Sequence, residues 1–103
     1  MRFNVNGVNW KVIFVTPDSS VLIDRTGKRT IACTDPVTKR IYISNTLHGP
    51  MLKTVIRHEL CHCVLVSYDL LGDLHRMIDR GDYISVEEFI CNVIADHYAE
   101  FRI

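Results

Sequence analysis

The sequence predicts one α+β domain in which a small, mainly antiparallel sheet of about three strands packs on two helices. Three observations lead there. Short runs rich in β-branched and aromatic residues, each closed by turn formers, fill the first 45 residues; an apolar stretch carrying His58-Glu59-Leu60-Cys61-His62 follows Gly49-Pro50; and a second periodic segment runs from Phe89 to Phe101. With 103 residues the chain has room for a single domain, residues 1–103, and for no second core.

The first strand is expected at Trp10-Lys11-Val12-Ile13-Phe14-Val15, ended by Thr16-Pro17-Asp18-Ser19-Ser20. Val21-Leu22-Ile23 reads equally as a brief strand or a helical turn. Thr30–Thr34 and Arg40–Ser44 flank Asp35-Pro36-Val37-Thr38-Lys39, a connection of hairpin length with Pro and Asp where a turn uses them. Alternation in the second arm puts Ile41 and Ile43 on a buried side and Arg40, Tyr42 and Ser44 on a wet one.

Pro50 suits a first helical position, because its missing N–H would have no intrahelical partner there. The helix it opens should run to about Tyr68, buried through Leu52, Val55, Ile56, Leu60, Cys63, Val64 and Val66. Residues 69–84 read as a linking region with one helical turn through Leu74–Ile78. Ser85-Val86-Glu87-Glu88 fits a capping box, so the last helix is expected to start there and continue through Phe101.

The candidate chemistry lies in the first helix. His58, Glu59 and His62 match H-E-x-x-H, and at roughly 100° per residue positions i and i+4 stand one turn apart on one face. Two imidazoles so placed can grip one metal ion, and the glutamate beside the first can take a proton from a metal-bound water without binding the metal itself. This is the arrangement of a zinc hydrolase. A solvated helical face carrying the three residues by accident is the bland alternative, and the apolar surroundings argue against it, because buried imidazoles and carboxylates need partners.

A catalytic zinc usually has three protein ligands. The longer H-E-x-x-H-x-x-G-x-x-H pattern fails, with Leu65 in place of its glycine and Tyr68 in place of its histidine. The remaining candidates are Asp69, Asp73, His75, Asp79, Asp82, Glu87, Glu88, Asp96 and His97. On the last helix Ile90, Val93, Ile94, His97 and Phe101 define a large-residue face with Glu87 near its margin. Glu88 heads the opposite stripe of Cys91, Asn92, Ala95 and Ala99, whose small side chains would let another helix approach closely. Phase leaves Glu88 open between completing the capping box and reaching a metal. His97 reads as a core or boundary histidine, and His48 and His75 as loop residues.

The order of strands, hairpin, H-E-x-x-H helix and glutamate-bearing helix, with Glu88-Phe89-Ile90-Cys91-Asn92 some 25 to 30 residues after the motif, resembles the small zinc metallopeptidases of the ImmA/IrrE family. The similarity covers approximately Ile41 to Phe101. It implies a minimal zincin-like, gluzincin-like fold, one Zn2+ per chain held by His58, His62 and Glu88, and Glu59 as general base. Glu87 has no matching role, so Glu88→Gln is expected to weaken zinc binding severely and Glu87→Gln is not. The resemblance also implies a cytoplasmic endopeptidase acting on a protein or peptide substrate, transcriptional repressors among them, bound along a sheet edge.

Composition bounds the rest. Twelve Lys and Arg balance twelve Asp and Glu, and no helix carries a basic stripe, which argues against nucleic acid as a direct partner. No signal-peptide or membrane-spanning run is present, so a soluble, unexported protein without a membrane partner is expected. Cys33, Cys61, Cys63 and Cys91 form no C-x-x-C pair and read as small core residues or reduced thiols; Cys61 and Cys63 should point to separate sides of their helix. The competing functional reading is a zinc-stabilised protein-binding domain without catalytic activity, which would have no need of Glu59.

Overall fold

The computed structural model describes residues 1–102 as an α+β domain with a mixed four-stranded sheet. Its elements are β1 (Arg2–Val5), β2 (Val8–Val15), β3 (Ala32–Asp35), β4 (Arg40–Ser44), α1 (Gly49–Ser67), α2 (Leu71–Met77), α3 (Tyr83–Asp96) and the single turn α4 (Tyr98–Phe101). The sheet order is β1-β2-β4-β3, with β2 and β4 parallel and the two outer pairings antiparallel.

The sheet therefore gains one strand over the expectation, and one of its pairings is parallel. The extra strand β1 pairs with β2 through the turn at Asn6 and Gly7, whose φ values of 51° and 78° are those of a type I′ hairpin. Asn-Gly between Val5 and Val8 is a strong local hairpin signal, and it marks β1 in the sequence. The parallel pairing has a different origin. The chain between β2 and β3 makes a 3-10 turn at Ser20–Leu22 and an isolated bridge from Ile23 to Arg29, so the Val21–Ile23 run is both of the things it could have been. The β3–β4 hairpin then lands with β4, not β3, against β2.

Trp10 and Val12 alternate inward on β2 with Ile41 and Ile43 on β4, and this surface packs on Leu52, Ile56, Leu60 and Cys63 of α1. The opposite flank of α1 presents Cys61 and Leu65 to Cys91 of α3. Cys61 and Cys63 do point to different sides, and all four cysteines are free. One departure from the simple alternation is Ser44, which is buried at the end of β4 with its hydroxyl 2.8 Å from that of Thr46.

Helix α1 starts where expected. Gly49 takes φ 63°, which a side chain would resist, and Pro50 follows it. The helix ends in a Schellman arrangement: Asp69 is left-handed at φ 55°, its N–H bonds to Val66 O, and Leu70 N–H bonds to Leu65 O at 2.8 Å. The linking region holds a two-turn helix, α2, and His75 lies on it rather than in a loop, stacked on Tyr83 with ring centroids 3.9 Å apart.

The last helix differs most. A 3-10 turn at Arg80–Asp82 runs directly into α3, so the helix begins at Tyr83 and Ser85 lies inside it. A capping box needs an extended residue at the N-cap, and Ser85 is not one. The helix also breaks at His97, which is exposed, not a core residue. Among the described residues no helix is long and apolar enough to cross a membrane.

The sheet and α1 are tied at one end by Trp10, whose indole N–H donates to Ser67 Oγ at 2.8 Å from a fully buried ring. Ser67→Ala leaves that N–H without its acceptor and should cost about 1–3 kcal/mol, read from the urea midpoint of unfolding. A midpoint equal to that of the parent would show that the bond contributes nothing net.

Candidate metal centre

Because α1 is covered by the sheet on one side and α3 on another, its remaining flank faces a cleft of about 830 Å³. Val55, His58, Glu59 and His62 form the α1 wall. Ala32–Asp35 of β3 stand on one side, with Ile84, Glu87, Glu88 and Asn92 of α3 on the other. The β3 strand pairs only with β4 and is thus an edge of the sheet.

Three donors meet on this flank. His58 Nε2 lies 3.0 Å from Glu88 Oε2 and 3.1 Å from His62 Nε2, while His62 Nε2 lies 3.1 Å from Glu88 Oε1. His58, His62 and Glu88 are a cluster that could hold a metal ion. Two of them come from consecutive turns of α1, and the third crosses from α3, so the cluster exists only when the two helices are packed. Cys91 and Ala95, small and buried, allow that close approach.

The helix phase is shifted from the sequence-based expectation. The buried residues of α3 are Glu87, Cys91 and Ala95, at i, i+4 and i+8. Glu87, not Glu88, heads the small-residue stripe, while Asn92 and Ala99 are exposed. Glu88 stands one residue round the helix, half-buried and turned into the cleft, and the large residues Phe89, Ile94 and Phe101 face outward. Spacing by four from Cys91 and Ala95 was the signal that marks Glu87.

Glu87 is 5% exposed and fully engaged. Its Oε2 accepts from His62 Nδ1 at 2.6 Å, and its Oε1 pairs with Arg25 Nη2 at 3.1 Å. Arg25 belongs to the turn after the 3-10 segment, where Asp24 Oδ1 accepts from Thr26 N–H at 2.8 Å and Lys28 N–H at 3.0 Å. Of the other acids and histidines considered as ligands, Asp69, Asp73, His75, Asp79, Asp82 and His97 do not line the cleft; Asp96 lines it but is not in the cluster.

Glu59 occupies a different position. It is 4% exposed, and among the described residues its Oε2 is a buried side-chain oxygen without a hydrogen-bond partner. Burial raises its pKa above the usual carboxylate value, against the pull of the His62 and His58 charges. Burial opposes charge on His62 too, but the carboxylates of Glu87 and Glu88 outweigh it and push its pKa up to about 10. His58 is raised by the same balance, with Glu88 and Glu59 overcoming desolvation. Hydrogen bonds from His58 and His62 hold Glu88 low; Glu87 is lowered as well, because His62 and Arg25 outweigh its burial. No protein-family model, curated protein or solved structure matches the chain.

These shifts make the protonation of the cluster a stability term. The raised pKa of His62 stabilises the metal-free fold at neutral pH and below, and that contribution disappears as pH rises through about 10. The lowered Glu87 and Glu88 stabilise it above the ordinary value of 4.5, and that contribution is lost in acid. A metal must displace a proton from His62, and His58 is raised as well, so apparent affinity for a divalent metal should rise at least about tenfold per pH unit between roughly pH 7 and 9. Chelator competition across that range checks it, and a flat profile would contradict the protonated state of His62.

Proposed function

We propose that the protein is a zinc-dependent endopeptidase, an ImmA/IrrE-type, gluzincin-like enzyme with a minimal zincin-like fold. The observation that carries the reading is the pairing of two features on one helix flank. Three donors of zinc-selecting type converge, and beside them a buried carboxylate oxygen, Glu59 Oε2, is left without a partner. Four-coordinate zinc with bonds of 2.0–2.1 Å needs donors about 3.3 Å apart. The separations of 3.0–3.1 Å among His58, His62 and Glu88 fit with small adjustments.

His58 and His62 would hold the ion through Nε2 and Glu88 through its carboxylate. Zinc, when bound, polarises a carbonyl and lowers the pKa of water towards about 7. Glu59 takes the proton of the attacking water and delivers it to the leaving nitrogen. Its raised pKa suits both transfers better than that of a solvated carboxylate would. The substrate is a flexible protein segment, a transcriptional repressor among the candidates, laid along the edge strand β3 where main-chain hydrogen bonds can hold an extended chain. A donor for the developing oxyanion has to stand in the cleft, and Tyr68, Tyr83, His75 and Arg57 do not line it. Arg57 is instead turned to the ring of Tyr98, 4.2 Å from its centroid. Tyr42 and Asn92 do line it.

A zinc-stabilised binding domain would use the same three ligands but leave Glu59 Oε2 buried to no purpose, at a desolvation cost. Glu88→Gln should lower zinc affinity by more than about 100-fold, beyond the usual cost of losing an outer partner. Glu59→Gln should bind zinc within a few-fold of the parent and lose about 10²–10⁴ in cleavage rate. Elemental analysis and mass spectrometry of flexible protein substrates read both. Zinc binding with identical, uncut products from parent and Glu59→Gln would favour the binding domain.

A further inference from the structure

The residue pair Arg25 and Glu87 lies outside the three-donor cluster and yet touches it. Glu87 is buried, and a buried carboxylate is costly unless both oxygens are engaged. Both are: Oε2 accepts a hydrogen bond from His62 Nδ1 at 2.6 Å, and Oε1 meets Arg25 at 3.1 Å. An ionised carboxylate can only accept, so the proton on this contact is on Nδ1. The other ring nitrogen, Nε2, is then the one turned to His58 and Glu88, 3.1 Å from each.

A metal needs a neutral imidazole with its lone pair on the nitrogen that faces the ion, and a hydrogen bond at the other nitrogen is what selects that tautomer. Glu87 is therefore not a fourth ligand, because its oxygens are directed at the far side of the ring and at Arg25. Arg25 in turn is delivered by a built turn. Asp24 closes it through Thr26 and Lys28, Gly27 has φ 84°, and Ile23 bridges to Arg29. The segment before β3 is thereby fastened across the cleft to α3.

Resting on the reading of His58, His62 and Glu88 as metal ligands, we infer that Glu87, braced by Arg25, is a positioning residue that fixes the ring and tautomer of His62 for metal binding. This gives Glu87 a role at the site where the sequence-based reading had none for it. Outer-shell partners of metal-bound histidine are worth about 10–100-fold in affinity. Arg25 is half-exposed and its contribution is screened, so its loss should be the smaller one.

The test uses the full chain titrated with zinc against a chelator, together with nitrogen-15 NMR of the histidine rings. In the parent the zinc-loaded His62 should show a protonated Nδ1 and a metal-bound Nε2. Glu87→Ala should weaken zinc about 10–100-fold and lose the single fixed His62 signature. Glu87→Gln keeps an acceptor without the charge and should fall between, and Arg25→Lys should bind more tightly than Arg25→Ala. Should Glu87→Ala fail to fold, Glu87→Gln and the Arg25 pair still decide. Zinc binding by the parent with unchanged affinity and unchanged His62 spectra in the Glu87 variants overturns this inference alone. A parent that binds no zinc overturns the metal reading and this inference with it.

Discussion

Everything in this structure depends on α1 being covered on two sides while its third side is polar. The sheet takes Leu52, Ile56, Leu60 and Cys63, α3 takes Cys61 and Leu65, and the flank between carries His58, Glu59 and His62. Burying imidazoles and carboxylates is unfavourable unless each finds a partner. Glu87 and Glu88 supply those partners from a second helix, and Arg25 supplies the counter-charge from a loop on the opposite wall. The polar flank thus organises three separate parts of the chain around one cluster.

The cluster divides its carboxylates by environment. Glu88 and Glu87 are held in the charged form by histidine and arginine contacts, whereas burial works to keep Glu59 neutral. On the proposed reading these three environments would suit three different tasks: binding a cation, orienting a ring and exchanging a proton. The same division of acidic groups by burial and charge underlies acid–base chemistry generally. The proposed catalytic reading rests on that division.

The approach of α3 to α1 is what completes the site. Cys91 and Ala95 leave room for it, and the cost is that bulky residues such as Phe89, Ile94 and Phe101 are displaced to the outer face, where they are exposed. A bulkier residue at either small position would push α3 away and take Glu88 out of reach of both histidines. Helix packing and the geometry of the three-donor cluster are the same variable here.

The sequence by itself determined the features that are local. The H-E-x-x-H spacing on an apolar helix, Gly49-Pro50 at its start and the turn residues of the β3–β4 hairpin each depend on backbone periodicity or on the φ preference of one residue, and these were legible. The Asn6-Gly7 signal for β1 belongs to the same class. Tertiary structure alone decided the parallel pairing of β2 with β4, the earlier start of α3 and the partners of Glu87. The capping-box pattern at Ser85 was outcompeted by a 3-10 turn running straight into the helix, and the face that packing buries is the row of Glu87, Cys91 and Ala95, not the one headed by Glu88. Arg25 and Glu87 stand 62 residues apart, and nothing in either neighbourhood encodes the other. Their pairing follows only from bringing the edge of the cleft and α3 to the same imidazole, because a buried charge takes whichever opposite charge the packed chain brings within reach.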